Sequence, residues 1–194
     1  MKLRILLLGV FLFLSYPAIA VDFGLGVSAK SDEGYVYFPI SFNSSVTVEP
    51  FIGYHKSSHS ESFNTGYSFS TGTNYKNRII GIGLFNSYPI SEKFSGYLGV
   101  RTGYAKRVRE HENDSSSTYH TTENLSGYMV SPTLGIEYRI TDNFNVCFEA
   151  EYSHYKYNGK GSTAHISPER YTIEYDLKDS GQNTNTRFLI RYFY

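Results

Sequence analysis

Apolar and polar residues alternate along most of the chain, from Phe23 to the last residue, Tyr194. An alternation with a period of two places apolar side chains on one face of a β-strand and polar side chains on the other. The pattern predicts an all-β protein with eight strands, each near the nine to eleven residues with which a tilted strand crosses a bilayer. The predicted strands contain residues 23–30, 35–42, 46–55, 80–85, 96–104, 133–140, 145–152 and 187–194.

The connections between these strands alternate in length. Short links lie near residues 31–34, 43–45, 91–93 and 141–143, and long polar links cover residues 56–77, 107–125 and 156–185. Short turns at one rim and long loops at the other are typical of outer-membrane barrels. We therefore predict an eight-stranded antiparallel up-and-down transmembrane β-barrel with both termini in the periplasm.

The three long links have two interpretations. They are rich in Ser, Thr, Gly and Asn, which favours irregular surface loops, the first interpretation. However, residues 170–178 continue the alternation through Tyr171, Ile173, Tyr175 and Leu177, which indicates a hairpin that extends beyond the membrane. In either case, these links are where we expect any surface ligand to bind.

The first twenty residues have the order of a secretory signal peptide. Lys2 and Arg4 precede an apolar run over residues 5–14, and Ala18 and Ala20 supply the small residues of a cleavage site. The apolar run is about half as long as the roughly twenty residues of a membrane-spanning helix. We therefore predict a cleaved signal peptide over residues 1–20 and a barrel domain over residues 21–194.

The charge balance gives no indication that nucleic acid is a partner. The chain has 18 basic and 18 acidic residues, and removal of Lys2 and Arg4 leaves 16 against 18, a net charge of −2. Nucleic-acid partners select for a strongly basic surface instead. The only cysteine is Cys147, so no intramolecular disulfide can form. Its position in the alternation predicts a buried, inert thiol.

The polar faces of the predicted strands carry many charged residues. If the apolar faces point outward to lipid, these charges line a narrow barrel interior, where they must pair with one another. We expect an interior network made of Lys30, Glu49, Arg101, Glu137, Arg139, Glu149, Glu151, Arg187 and Arg191. The alternative is that they form the solvent-exposed face of a soluble β-sandwich.

The end of the chain favours the membrane barrel. Phe188, Ile190, Tyr192 and Tyr194 occupy alternate positions up to the carboxy terminus. This ending resembles the signal that the barrel assembly machinery recognises in outer-membrane proteins, with Tyr where Phe is commonest. Together with the strand pattern, it resembles the small barrels of the outer-membrane protein A and protein X type. The resemblance implies a location in the outer membrane, lipid and lipopolysaccharide as neighbours, and a monomer.

Aromatic residues recur at the ends of the predicted strands. Membrane proteins concentrate such rings at the two membrane–water interfaces, which makes an aromatic girdle the favoured interpretation. The alternative is the ordinary preference of strands for Tyr and Phe. The candidates are Tyr54, Tyr88, Phe94, Tyr104, Tyr138, Phe144, Tyr152 and Tyr194.

Candidate chemistry is sparse. His55 and Ser57 resemble the His-x-Ser dyad of lipid A deacylases, with Glu49 or Glu61 as an orienting acid. That dyad would have to face lipid. His111, Glu112, Asp114 and His120 are potential metal ligands, but their spacing matches no zinc pattern. We therefore expect no catalytic residues, no metal and no cofactor.

The sequence thus predicts a non-enzymatic outer-membrane barrel whose surface segments serve envelope integrity, adhesion or interaction with surfaces. Two alternatives remain open: a narrow outer-membrane channel, and a lipid A-modifying enzyme of the deacylase kind. Nothing in the sequence identifies a surface ligand.

Overall fold

The computed structural model describes residues 21–30, 33–42, 45–64, 68–114, 119–165 and 170–194, with backbone alone for residues 29, 30, 62–64, 68–70 and 114. The signal peptide expected over residues 1–20 lies outside the described residues. The described residues form nine strands: β1 (Val21–Lys30), β2 (Glu33–Tyr37), β3 (Ile40–Phe42), β4 (Val46–Asn64), β5 (Ser68–Pro89), β6 (Phe94–Asp114), β7 (Tyr119–Arg139), β8 (Phe144–His165) and β9 (Tyr171–Phe193). Among the described residues, no helix is long and apolar enough to span a membrane.

The strands form one antiparallel sheet that closes on itself. Each strand from β4 to β8 pairs with the next strand in the chain, and β9 pairs with β1 from Gly24–Phe193 to Ser28–Leu189. β2 and β3 are two segments of a single barrel strand, because Pro39 has no backbone N–H to continue the ladder. The barrel therefore has eight strands, and the predicted fold class is confirmed.

The outer surface carries a continuous apolar belt. On β6 the outward face is mostly apolar from Phe94 to Tyr104, and Lys106 follows at the next outward position. Large apolar side chains within the belt are strongly exposed, for example Ile80 at 63% and Leu134 at 60%. Exposure on this scale around a closed sheet is expected where lipid, rather than water, covers the surface.

Aromatic rings occur at both margins of this belt. Phe94 and Tyr138 pack at one margin with ring centroids 4.8 Å apart, and Tyr104 packs against Tyr128 at the other at 5.3 Å. Of the other girdle candidates, Tyr54, Tyr88, Tyr152 and Tyr194 are exposed, and Phe144 is partly buried.

The long links are not irregular loops over most of their length. Strands β4 to β9 run for 19 to 23 residues, so that the three hairpins continue well beyond the belt. The loop interpretation of residues 56–77, 107–125 and 156–185 is therefore wrong, and the hairpin interpretation is correct. Polar residues on both faces hide the strand signal over much of these segments, whereas residues 171–177 keep an apolar alternation beyond the belt.

The first hairpin is much shorter than the other three. The β2–β4 pairing ends at Glu33–His55, and the β1–β9 pairing ends at Ser28–Leu189. Beyond this level, in the described part of the chain, β4 and β9 continue without pairing to each other. The wall thus changes from a closed eight-stranded barrel to a curved six-stranded sheet with two free edges.

We predict that Leu134→Arg on the belt destabilises the folded protein in lipid by about 2–4 kcal/mol, the cost of a cation near the bilayer midplane. Asn124→Arg, on the same strand and beyond the belt, is the matched control. The cation stays in water at that position, so little change is expected. Denaturant titration in vesicles measures both, and equal losses would place the membrane elsewhere.

Candidate functional site

A buried arginine is at the centre of the barrel interior. Arg101 extends from β6 between Glu49 on β4 and Glu149 on β8. Its Nη2 lies 2.7 Å from Glu49 Oε1, and its Nη1 lies 2.6 Å from Glu149 Oε2. All three side chains have 0% exposure to solvent. These charge-assisted hydrogen bonds join non-adjacent strands across the lumen.

Two further arginines, both on β9, extend this arrangement. Arg191 places Nη2 2.6 Å from Glu49 Oε2 and Nη1 3.2 Å from Glu137 Oε2. Arg187 donates from Nη1 to Glu151 Oε2 at 2.9 Å and from Nη2 to Glu151 Oε1 at 3.2 Å. We call the seven linked residues the plug. The plug consists of Glu49, Arg101, Glu137, Glu149, Glu151, Arg187 and Arg191.

Aromatic rings fill the space around the plug. The guanidinium of Arg101 lies 4.8 Å from the ring centroid of Phe85 and 4.9 Å from that of Tyr37. Tyr97 Oη donates to Glu149 Oε1 at 2.7 Å. A Cβ at Gly135 would lie 2.2 Å from Tyr97 Cζ, so a glycine is required for this ring to reach across the lumen. The barrel interior is thus packed at this level, with water excluded from the central charges.

Seven of the nine predicted interior charges lie in the plug. Arg139 lies outside the plug and lines a cavity of about 190 Å³ at the rim with the short turns, where its side chain is exposed. The side chain of Lys30 lies outside the described part of the structure. The sequence analysis does not include the aromatic rings around the plug, Tyr37, Phe85 and Tyr97, although they occupy inward positions of the alternation. Cys147 is fully buried, as predicted, and its thiol donates to Glu137.

A second charged group lies nearer the long hairpins. Arg107 pairs with Asp179 across the sheet, and its guanidinium lies 4.3 Å from the ring centroid of Tyr157 and 5.2 Å from that of Tyr75. Burial raises the pKa of the Tyr157 hydroxyl above its usual range, while the charge of Arg107 opposes this shift. Between this group and the plug is a lumen cavity of about 410 Å³.

The deacylase hypothesis does not fit the geometry. His55 and Ser57 line the lumen cavity, not the lipid-facing wall that such a dyad requires. The nearest acid to His55 is Glu33, with Oε1 3.3 Å from Nδ1. Glu49 is in the plug, and Glu61 lies 2.9 Å from His59 at an exposed position.

The candidate metal ligands are not gathered into one site. His111 Nδ1 is hydrogen-bonded to Thr73 Oγ1 at 2.9 Å, whereas His120 lies 3.5 Å from Glu112. The side chain of Asp114 is not described. Within the described residues, no group of three or more His, Cys, Asp or Glu side chains is arranged to hold a metal ion.

The four residues of the expected assembly signal lie on the outer face of β9 and at the chain end that follows it. Phe188, Tyr192 and Tyr194 are 46%, 45% and 77% exposed, and Ile190 is partly buried. Recognition by the assembly machinery remains a prediction. The backbone N–H of Tyr194 donates to the carbonyl of Phe23 at 2.9 Å, so the chain end is part of the seam that closes the barrel.

No family model and no curated protein matches this chain. Solved structures do share its fold. A major outer membrane protein from Thermus thermophilus superposes with a TM-score of 0.58 at 10% identity, over 90% of this chain and 100% of that chain. The outer membrane protease OmpT from Escherichia coli gives a TM-score of 0.57 at 15% identity, over 84% of this chain. The present chain covers 64% of the protease chain.

At these identities the likeness concerns the fold. The closed antiparallel sheet and its exposed apolar belt define a small β-barrel of the bacterial outer membrane. The shared fold does not by itself specify what fills the lumen, which in this chain is the plug.

We predict that Arg101→Met destabilises the barrel by roughly 3–5 kcal/mol, because Glu49 and Glu149 would remain buried without their shared partner. Arg139→Met is the control, since Arg139 is exposed at the rim. Adding Glu149→Gln to Arg101→Met should recover part of the loss by removing one uncompensated charge. Urea titration of the refolded proteins measures these differences, and equal losses for both arginines would contradict the importance of the plug.

Proposed function

We propose that this protein is a non-conducting, non-enzymatic outer-membrane barrel that presents a β-sheet beyond the membrane for binding a surface partner. The non-conducting part of this proposal rests on the plug. Arg101, Glu49 and Glu149 are fully buried and bonded across the lumen, so ions meet a packed layer instead of a water-filled path. This arrangement favours a sealed barrel over the narrow-channel alternative.

The hairpins that extend beyond the belt support the proposal that the sheet binds a surface partner. Their outward face is polar. Four lysines on the hairpin side of the belt are exposed: Lys56, Lys106, Lys156 and Lys160. A polar surface of this kind is suited to contact with water and macromolecules, not with lipid acyl chains. Binding of a partner is therefore the role we assign to the sheet, and adhesion is one form that it takes.

The free edges of the sheet suggest how a partner binds. Beyond His55 on β4, and beyond Leu189 toward the hairpin tip on β9, backbone N–H and C=O groups on one side have no strand partner among the described residues. An extended polypeptide can add to such an edge, with main-chain hydrogen bonds supplying affinity.

The arrangement around His55 supports the non-enzymatic assignment. His55 is paired with Glu33 and packs edge-on against Tyr75, with ring centroids 5.1 Å apart. Ser57 lies on the same inward face of β4, away from lipid. A lipid A substrate would have to reach these residues from inside the lumen.

We expect the refolded wild-type protein to give no regular conductance steps in planar lipid bilayers. Replacement of Arg101 and Glu149 together by Ala should produce such steps, because it removes the centre of the packed layer. Single-channel recording under identical salt conditions tests both. Regular steps from the wild-type protein would establish a channel and contradict the proposal.

For partner binding, we expect a variant with shortened hairpins to lose affinity by roughly tenfold or more, because residues 58–64 of the β4 edge and residues 171–178 of the β9 edge are removed. Residues 58–74, 108–124 and 158–178 are each replaced by an Asn-Gly turn. The residues that flank the cuts are already paired: Ser57 with Tyr75, Arg107 with Leu125, and Tyr157 with Asp179. The barrel, the plug and the lumen cavity are therefore retained.

The probe is reduced and carboxymethylated lactalbumin, an unfolded chain that offers extended backbone, and native lactalbumin is its control. Binding to barrels in lipid nanodiscs is measured by interferometry, with heat-modifiable gel mobility as the check of folding. Equal binding by the wild-type and shortened barrels would contradict binding to the removed edge segments, and no binding by either would contradict edge binding altogether.

A further inference from the structure

Three cavities meet at one place in the barrel wall, where β9 passes the short first hairpin. An outer groove of about 480 Å³ lies on the lipid-facing surface of β7 to β9. A wall cavity of about 200 Å³ lies between β9 and the first hairpin. The lumen cavity of about 410 Å³ lies inside. Adjacent cavities share lining residues, so the three lie side by side from the membrane to the interior; we call this series the track.

The outer groove is apolar and lies within the belt. Ala150 forms its floor, between the larger Leu134, Phe148 and Phe188, which are 60%, 58% and 46% exposed. Its far end is Thr186, which also lines the wall cavity. An acyl chain is the molecule that a membrane supplies to a groove of this composition.

The wall cavity results from the early end of the β1–β9 pairing. Above Ser28 and Leu189 no strand covers this side of β9 in the described residues. Thr186 and Phe188 point outward, whereas Asn185 and Arg187 point inward, and all four line this cavity. The cavity therefore crosses the wall instead of indenting one face.

The wall cavity carries both signs of charge. Glu33 and Arg187 line it, and both also line the lumen cavity. The guanidinium of Arg187 lies 4.2 Å from the ring centroid of Tyr35, so Arg187 and Tyr35 stand at the junction of the two cavities. Arg187 is held from below by Glu151 of the plug. A headgroup with one positive and one negative charge is complementary to Glu33 and Arg187.

We propose that this track binds one zwitterionic phospholipid from the leaflet on the side of the long hairpins. One of its two acyl chains lies in the outer groove, and its headgroup turns through the wall cavity toward Glu33 and Arg187. The order of surfaces, apolar outside and polar inside, matches an amphipathic molecule and not a free sugar. The presence of both Glu33 and Arg187 favours a zwitterionic headgroup over the single carboxylate of a fatty acid. The inference depends on the barrel and its wall, not on partner binding by the hairpins.

Native mass spectrometry of the full-length mature barrel tests this proposal. The protein is reconstituted in vesicles of equal parts phosphatidylethanolamine and phosphatidylglycerol with identical acyl chains, then extracted into detergent. We expect a one-to-one complex that is enriched in phosphatidylethanolamine. Asn185→Trp, which fills the wall cavity, should lower retention roughly tenfold. Asn158→Trp, at an exposed position on a hairpin, should leave retention unchanged.

A second pair of variants tests the outer groove in case Asn185→Trp fails to fold. Ala150→Trp should displace the acyl chain, whereas Val100→Trp, also exposed but on β6, should not. Heat-modifiable mobility establishes folding in each case. The hairpin-shortened barrel keeps the track and should retain lipid, which separates this inference from the proposed surface function.

Three results would overturn the proposal: no discrete complex survives extraction, phosphatidylglycerol is retained equally, or the cavity variants retain as much lipid as their controls. A protein dimer without lipid would also overturn it, and would identify the groove as a contact between two copies.

Discussion

Closure of the sheet by β1 and β9 is the constraint on which the rest of the structure depends. In hydrocarbon, an unpaired backbone N–H or C=O costs several kcal/mol, so a sheet within the membrane has to pair its two edges. The seam from Gly24–Phe193 to Ser28–Leu189 does this. Where the seam ends, the apolar outer face of β9 also ends, because Thr186 and Thr184 precede Phe188 at the outward positions. The sheet is thus closed over about the length of wall that lipid covers.

Closure also determines what the interior must contain. Eight strands enclose a space that side chains can just fill, and the inward positions include several charges that cannot be left unpaired. Arg101 and Arg191 resolve this by sharing Glu49 and Glu149. The bonds from Arg101 span the lumen, so the network braces opposite walls as well as excluding water. The pairs that neutralise the interior are therefore also the basis on which we propose a sealed barrel.

The sequence predicts the features that depend on alternation and misses those that depend on depth. The alternation along each strand is enough to assign Glu49, Arg101 and Glu149 to the interior, because in a closed barrel every side chain on the inner face points into the lumen. The alternation does not indicate how far along the barrel axis a residue lies. Arg139 lies on the same strand face as Glu137 yet is exposed, since it lies at the rim. Most of the hairpin sequence is hidden for a related reason: beyond the membrane the outer face of a strand meets water, so the apolar alternation weakens, although residues 171–177 keep it on the inner face.

The short first hairpin connects the two proposed functions. Had β1 and β2 been as long as the other strands, the wall would have closed to the tips of the hairpins. The sheet would then have had no free edges, and no cavity would separate β9 from its neighbour above Ser28. The polar edge beyond the membrane and the gap within its outer margin are thus two consequences of one difference in strand length. A partner that adds a strand to β9 near Arg187 would cover the wall cavity, so occupancy of the edge and exchange of the bound lipid should be coupled through that segment.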